Sequence, residues 1–207
     1  MTGVTRPYRG VSAQDRRAGR RARLIEAALD VLGEGGLANM TMTAVCNRAG
    51  LTERYFYESF KDRDELLIAL FDTSIAEMDE KMFHALAKAQ PDLLDRCRAA
   101  AAAIVAVLTD DPRRTRLYIE ASGSQVLRAR RTAAVKTHAS VLAEQIRVLR
   151  GIEGPELELA TLIIIAGVAE AIADWLEGGI SLPRDTLIEE CARLAVAAAD
   201  AAQATRR

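Results

Sequence analysis

Residues 41–63, TMTAVCNRAGLTERYFYESFKDR, decide the fold of this 207-residue chain. Val45 and Ala49 are four apart and share one helix face, and Gly50 follows where a helix must leave the right-handed region. Leu51 turns back toward a core. Thr52 then suits the N-cap of a second helix, whose apolar Phe56 and Phe60 are again four apart, leaving Glu53, Arg54, Tyr55 and Tyr57 largely outward. Thr41 is a fitting cap for the first helix, and Asp62 with Glu65 fits a capping box for the next. The stretch therefore predicts two short helices held at an angle by a glycine turn, the layout of a helix-turn-helix. Such a corner is also common as plain architecture.

Working outward, Leu24, Ala27, Ala28, Val31 and Leu32 form a helical stripe ended by the Gly33-Glu34-Gly35-Gly36 stretch, which supplies the third helix of a small head. Its partners are Leu37, Val45, Ala49, Leu51, Phe56 and Phe60. Charge separates the two readings of the corner. Residues 1–23 hold seven arginines (Arg6, Arg9, Arg16, Arg17, Arg20, Arg21 and Arg23) against Asp15. Residues 1–63 carry 11 basic and 7 acidic residues, so with the whole chain at −1 the remainder carries −5. A basic head on an acidic body is the footprint of a protein that meets a polyanion, although a solvated charged tail has the same composition.

The run from Arg20 to Leu67, with Thr41, Val45, Ala49-Gly50-Leu51-Thr52, Tyr57, Phe60, Lys61 and Arg63, resembles the DNA-binding head of TetR-family (tetracycline-repressor-like) transcriptional regulators. Cys46 departs from the family's usual alanine and is small enough to pack in the core. Arg63 departs from the usual lysine, which keeps the cation and adds a fork. The resemblance implies nine helices and a ligand-responsive regulator acting on DNA as a homodimer.

Composition agrees with an all-α protein: half the residues are hydrophobic and 28% charged, with few aromatic or β-branched runs. Cys46, Cys97 and Cys191 form no CxxC and cannot all pair, so a reducing cytoplasm is expected. No signal peptide is expected, and the apolar runs Ala99 to Leu108 and Leu159 to Ala169 are too short to span a bilayer, so no membrane is expected as a partner.

The body reads as helices near 63–88, 91–109, 112–121, 123–150, 156–178 and 184–203, with Pro91, Pro112, Pro155 and Pro183 near starts and Gly151, Gly154, Gly178 and Gly179 at stops. The domains expected are 1–62, an arginine-rich arm with the helix-turn-helix, and 63–207, a helical ligand-binding and dimerisation body of about six helices. Helix 156–178 is apolar nearly all round, so a single core-facing stripe cannot hide it. With the narrow stripe Leu187, Cys191, Leu194, Ala195 and Ala198 on the last helix, it predicts a four-helix dimer interface including Ile163 and Ala166; the other reading is two helices central to a monomer's core.

A two-fold dimer would place two recognition helices about 34–36 Å apart on a near-palindromic duplex operator. Arg54 can fork onto guanine, and Tyr55 and Glu53 complete the base-edge set. The resemblance assigns Tyr57 to a backbone phosphate. Thr41, Thr43, Thr52, Lys61 and Arg63 are further phosphate candidates, together with the first amides of helix 63–88. Arg16, Arg17, Arg20 and Arg21 are candidates for the backbone or minor groove; Arg20, Arg21 and Arg48 fit solvated helix faces equally well.

For switching, the resemblance implies a small effector inside the body, coupled to the head through the helix after the recognition helix. Candidate walls for a lipophilic effector are Phe71, Ile75, Met78, Met82, Leu117, Tyr118, Glu120, His138 and Trp175, positions that helical spacing explains as plain core too. Glu170, Asp174 and Glu177 share a face, either as a solvated stripe or as a draw for a cationic ligand. No enzyme is expected: His84 and His138 form no ligand-spaced cluster, no nucleophile elbow is present, and Gly33 to Gly36 lacks a phosphate-loop pattern. No cofactor or metal is expected. The alternative function is a helical protein-interaction scaffold without DNA binding.

Overall fold

The structure, a computed structural model, describes residues 12–204. Among these lie nine α-helices: α1 (Ala13–Gly35), α2 (Met42–Ala49), α3 (Glu53–Tyr57), α4 (Arg63–Lys88), α5 (Leu93–Asp110), α6 (Pro112–Gly123), α7 (Arg128–Arg150), α8 (Pro155–Glu177) and α9 (Arg184–Ala204), with one 3₁₀ turn at Leu37–Asn39. The all-α class and the nine helices expected from the sequence are present. Two compact units divide the chain at Phe71/Asp72, a position inside α4 and further along than the 62/63 boundary drawn from the sequence. Leu66, Leu67, Leu70 and Phe71, buried in the first turns of α4, belong to the head unit.

In the head unit, each corner is fixed by a local device. Thr41 accepts the Ala44 amide at 3.2 Å, as an N-cap should. Gly50 takes φ 60° and ψ 40°, the left-handed conformation that favours glycine, and lets Leu51 return its amide to the Cys46 carbonyl at 3.0 Å. Asp62 accepts the Glu65 amide at 2.8 Å, but Glu65 reaches back to the Lys61 amide at 2.6 Å, one residue before the cap, so the expected box closes in a wider form. At the end of α1, Asn39 crosses over Gly35 so closely that an added Cβ would lie 2.5 Å from the Asn39 amide nitrogen. Leu24, Leu32, Met40, Val45, Phe56 and Phe60 are the centre of this unit, and Cys46 packs there as expected from its size.

A second capping box opens α1: the Ser12 hydroxyl accepts the Asp15 amide, and the Asp15 carboxylate returns to the Ser12 amide. The chain is therefore helical from Ala13, and Arg16, Arg17, Arg20, Arg21 and Arg23 ride on a helix where the sequence reading expected an arm. Arg6 and Arg9 lie outside the described residues.

The body unit is built on long helices. One cluster joins Leu93 and Cys97 of α5, Leu142, Ala143 and Ile146 of α7, Leu157 of α8 and the small side chains Ala192, Ala195, Ala199 and Ala202 of α9. A second joins Met78, Val105, Leu108, Ile172, Leu187, Ile188 and Cys191. Alanines every three or four residues let α9 lie close to its neighbours inside the unit. α7 begins at Arg128, later than the expected 123, because Gly123 ends α6 and Ser124 is extended.

α8 is long and apolar enough to cross a membrane, with a mean hydropathy of 1.9, which corrects the expectation that no segment is. The uninterrupted apolar run is short because Glu158 and Glu170 bound it, but the helix continues past them with further apolar residues. In the body its inward side, Leu157, Thr161, Ile172 and Ala173, is buried, while Leu159, Leu162 and Ile163 are exposed.

Candidate nucleic-acid interface and effector region

On the head, α3 presents the side chains expected of a reader. The Arg54 side chain is 84% exposed, Tyr57 is 60% exposed, and Glu53 and Thr52 are exposed beside them. Thr52 begins the helix without a side-chain cap bond, which leaves its hydroxyl available for another acceptor or donor. Phe56 is the inward anchor, edge-on to Tyr57 at 5.7 Å and tilted against Phe60 at 5.8 Å, so burial of one ring fixes how the opposite face is displayed. Thr41, Thr43, Lys61 and Arg63 are exposed around this face.

Tyr55 differs from its neighbours. It is half-buried, and the Arg20 guanidinium lies 4.5 Å above its ring. Arg20 also pairs with Glu58 at 3.2 Å, while Arg17 donates to the Glu58 carbonyl at 2.5 Å. Arg21 lies 4.8 Å over Phe60, and Arg23 donates to the Ala49 carbonyl at the end of α2 at 2.5 Å. Several α1 arginines therefore stitch the head together. Arg48 does the same from α2, reaching Glu34 at 2.5 Å and Asp30 at 3.4 Å; its hydrogen bond holds the Glu34 carboxyl below its ordinary value. The start of α4 is crowded with Asp62, Asp64 and Glu65, whose negative charge already answers the helix dipole.

Glu58 was absent from the sequence reading. The residues it joins are 38 and 41 positions away, and the only local signal is its i, i+4 spacing from Arg54.

In the body, three of the candidate effector residues belong to one apolar cluster. Met78 is in the second apolar cluster, with Tyr118 and Trp175 packed against it. The Tyr118 hydroxyl donates to the Ala169 carbonyl at 3.1 Å, and burial pushes its pKa up to about 12. Trp175 donates its indole N–H to the Leu182 carbonyl at 2.8 Å. His138 and Asp79 are in contact at 2.6 Å, joining α7 to α4. Leu117 and Met82 are buried and Ile75 half-buried, Glu120 pairs with Arg116 at 2.9 Å, and Phe71 falls in the head unit. The body part of α4 is tied by acids the sequence reading passed over: Asp72 to Arg130 at 3.6 Å and Glu77 to Arg114 at 2.7 Å. Glu170 of the acidic face pairs with Arg131 at 2.6 Å.

Of the residues proposed for a dimer face, Ile163 (63%) and Leu194 (52%) are exposed, Ala166 and Ala198 are half-buried, and Leu187, Cys191 and Ala195 are buried within the unit's own clusters. Burial also raises the thiol pKa of Cys97, to about 11, and that of Cys191. Among the described residues no group of His, Cys, Asp and Glu is placed to hold a metal.

A capped helix, a left-handed glycine and a second helix with an outward arginine and tyrosine define a helix-turn-helix protein with a separate helical body. Residues 24–70 match the family model described as bacterial regulatory proteins, tetR family. The structure is similar to that of a transcriptional regulator from Pseudomonas aeruginosa PAO1 (TM-score 0.75, 15% identity, covering 96% of this chain and 97% of that one). It is similar also to a TetR-like transcriptional regulator from Rhodococcus sp. RHA1 (TM-score 0.62, 20% identity, 86% and 94% covered). A third is the transcriptional regulator FadR from Bacillus subtilis in complex with stearoyl-CoA (TM-score 0.69, 20% identity, 86% and 98% covered). At these identities the likeness is one of fold. No curated protein sequence matches the chain. The family match is confined to the head, residues 24–70, and the similarity over the rest of the chain is one of fold.

Proposed function

We propose that the chain is a cytoplasmic, ligand-released repressor that binds a near-palindromic operator as a homodimer. The observation that carries this reading is the outward set Glu53, Arg54 and Tyr57 on a helix whose opposite side is pinned by Phe56. Arg54 reads a guanine edge, Glu53 accepts from a cytosine amine, and Tyr57 with Thr41, Thr43, Thr52, Lys61 and Arg63 holds the phosphates. One short helix covers few base pairs, so a second copy is required for a useful site. Leu159, Leu162 and Ile163 of α8 and Leu194 of α9, exposed on two helices that pack together, supply the face that the second copy covers.

The effector is a small lipophilic molecule received among Met78, Tyr118 and Trp175, consistent with the stearoyl-CoA held by the Bacillus subtilis relative. α4 carries the signal, its body part held by Asp72, Glu77 and Asp79. An effector that favours one dimer arrangement weakens DNA binding by its differential affinity; a coupling of about 1–3 kcal/mol changes affinity roughly 5–150-fold. A mobility-shift assay with duplexes from upstream of the protein's own gene tests the reading. A sequence-specific shift that weakens steeply as salt rises is expected; no specific shift at any salt overturns it.

A further inference from the structure

Arg54 is exposed but not loose. Its Nε donates to Glu58 Oε1 at 3.3 Å, and the other oxygen of the same carboxylate, Oε2, accepts from Arg20 Nη2 at 3.2 Å. Arg17 takes the Glu58 carbonyl, and Arg20 is itself seated over the Tyr55 ring. The carboxylate is thus clamped between two guanidinium groups, one from the reading helix and one from α1.

This arrangement has a directional consequence. A guanidinium offers a rigid fork of five N–H donors, and a side chain bound only by its flexible stem loses rotamer freedom when the fork engages a base. With Nε committed to Glu58 and the side chain 84% exposed, the terminal Nη1–Nη2 edge is left for another acceptor. That is the edge needed for bidentate contact with guanine O6 and N7. The negative charge of Glu58, balanced by Arg20 and Arg54, presents little repulsion to DNA.

We infer that Glu58 is a positioning residue for base readout: it orients the Arg54 fork, and Arg20 on α1 holds Glu58 in place through its second oxygen. The inference rests on the reading of α3 as the recognition helix with Arg54 on a base edge. α1 therefore contributes to specificity without touching a base, and Arg20, a candidate for DNA contact by sequence, acts through Glu58.

The test is selection from a pool of randomised DNA duplexes by the full chain, comparing the native protein with Arg54→Ala, Glu58→Ala, Glu58→Gln and Arg20→Lys. The native protein should enrich sites with guanine at one symmetry-related pair of positions, and Arg54→Ala should lose that preference. Glu58→Ala should lower the same preference by about fivefold or more while preferences at other positions hold within about twofold. Glu58→Gln should retain part of it, because the amide oxygen still accepts from one arginine. Arg20→Lys, which keeps the charge and loses the fork, gives a milder loss at the same position and serves if Glu58→Ala fails to fold. Unchanged guanine preference in Glu58→Ala and Arg20→Lys overturns the inference. So does an equal loss at every position, which marks a purely architectural role, or a gain, which marks Glu58 as a restraint on Arg54. Enrichment of no site by the native protein overturns the recognition-helix reading and the inference with it.

Discussion

The head and the body of this chain are held together in different ways. In the head, short helices are set by devices spanning a few residues, the Thr41 cap, the left-handed Gly50 and the Asp62–Glu65 exchange, around a small centre of Phe56 and Phe60. Charged side chains then cross between helices: Arg17 and Arg20 to Glu58, Arg23 to the end of α2, Arg48 to Glu34. In the body α5 to α9 run from 12 to 23 residues, against 8 and 5 for α2 and α3, and alanine-rich packing on α9 and two broad apolar clusters hold them. A surface that must present particular donors at particular angles needs local, directional fixing. The body, proposed to accommodate a ligand and a second copy, rests on extended apolar area, whose energy scales with surface and not with angle.

The largest expected effect sets the two units against each other. Phe56→Ala removes a ring that is 1% exposed at the centre of the head and should destabilise that unit by about 3–5 kcal/mol. Calorimetry should show an early transition for the head and an unshifted one for the body; a single transition shifted as a whole would break the two-unit comparison. Next in size is Ile163→Asp, on a side chain 63% exposed in one copy. The helical signal and the body's melting temperature should hold, while sedimentation shows dimer association weakened by about 2 kcal/mol or more. An unchanged association state would remove α8 from the interface. The smallest sharpens the description of the head: Thr41→Ala, which deletes a capping hydroxyl, should cost about 1 kcal/mol in denaturant unfolding of the head. Thr52→Ala, where the hydroxyl caps nothing, should change stability by less than about 0.5 kcal/mol. Equal costs would mean that capping is not what holds these two helix starts.

Legibility in the sequence follows the same division. Thr41, Gly50 and the four-residue spacing of Phe56 and Phe60 announced the corner, and the prolines and glycines announced the body's helices to within a few residues. The Ser12–Asp15 box is equally local, but the dense arginines behind it have the composition of an arm as well as of a helix face. On α9 the pattern Leu187, Cys191, Ala195 correctly marks one face, but a stripe cannot say whether the surface it meets belongs to its own subunit. Those three side chains are buried in clusters where α9 packs on the chain's own α5 and α8, and Leu194 faces out. For the candidate effector residues, helical spacing could not distinguish Met78, Tyr118 and Trp175, which share one cluster, from Phe71, which belongs to the other unit.

By itself the sequence determined the all-helical class, the turn at Gly50, the family of the head and the identity of its outward residues, because each rests on contacts closed within about one helical turn. Only the tertiary structure decided that Arg20 serves Glu58 and the Tyr55 ring, and which apolar side chains of α8 and α9 remain uncovered. The Arg54–Glu58 pair is four residues apart and could be drawn from spacing. The Arg20 and Arg17 contacts that hold Glu58 span 38 and 41 positions, and which apolar faces stay uncovered depends on packing that no local pattern records.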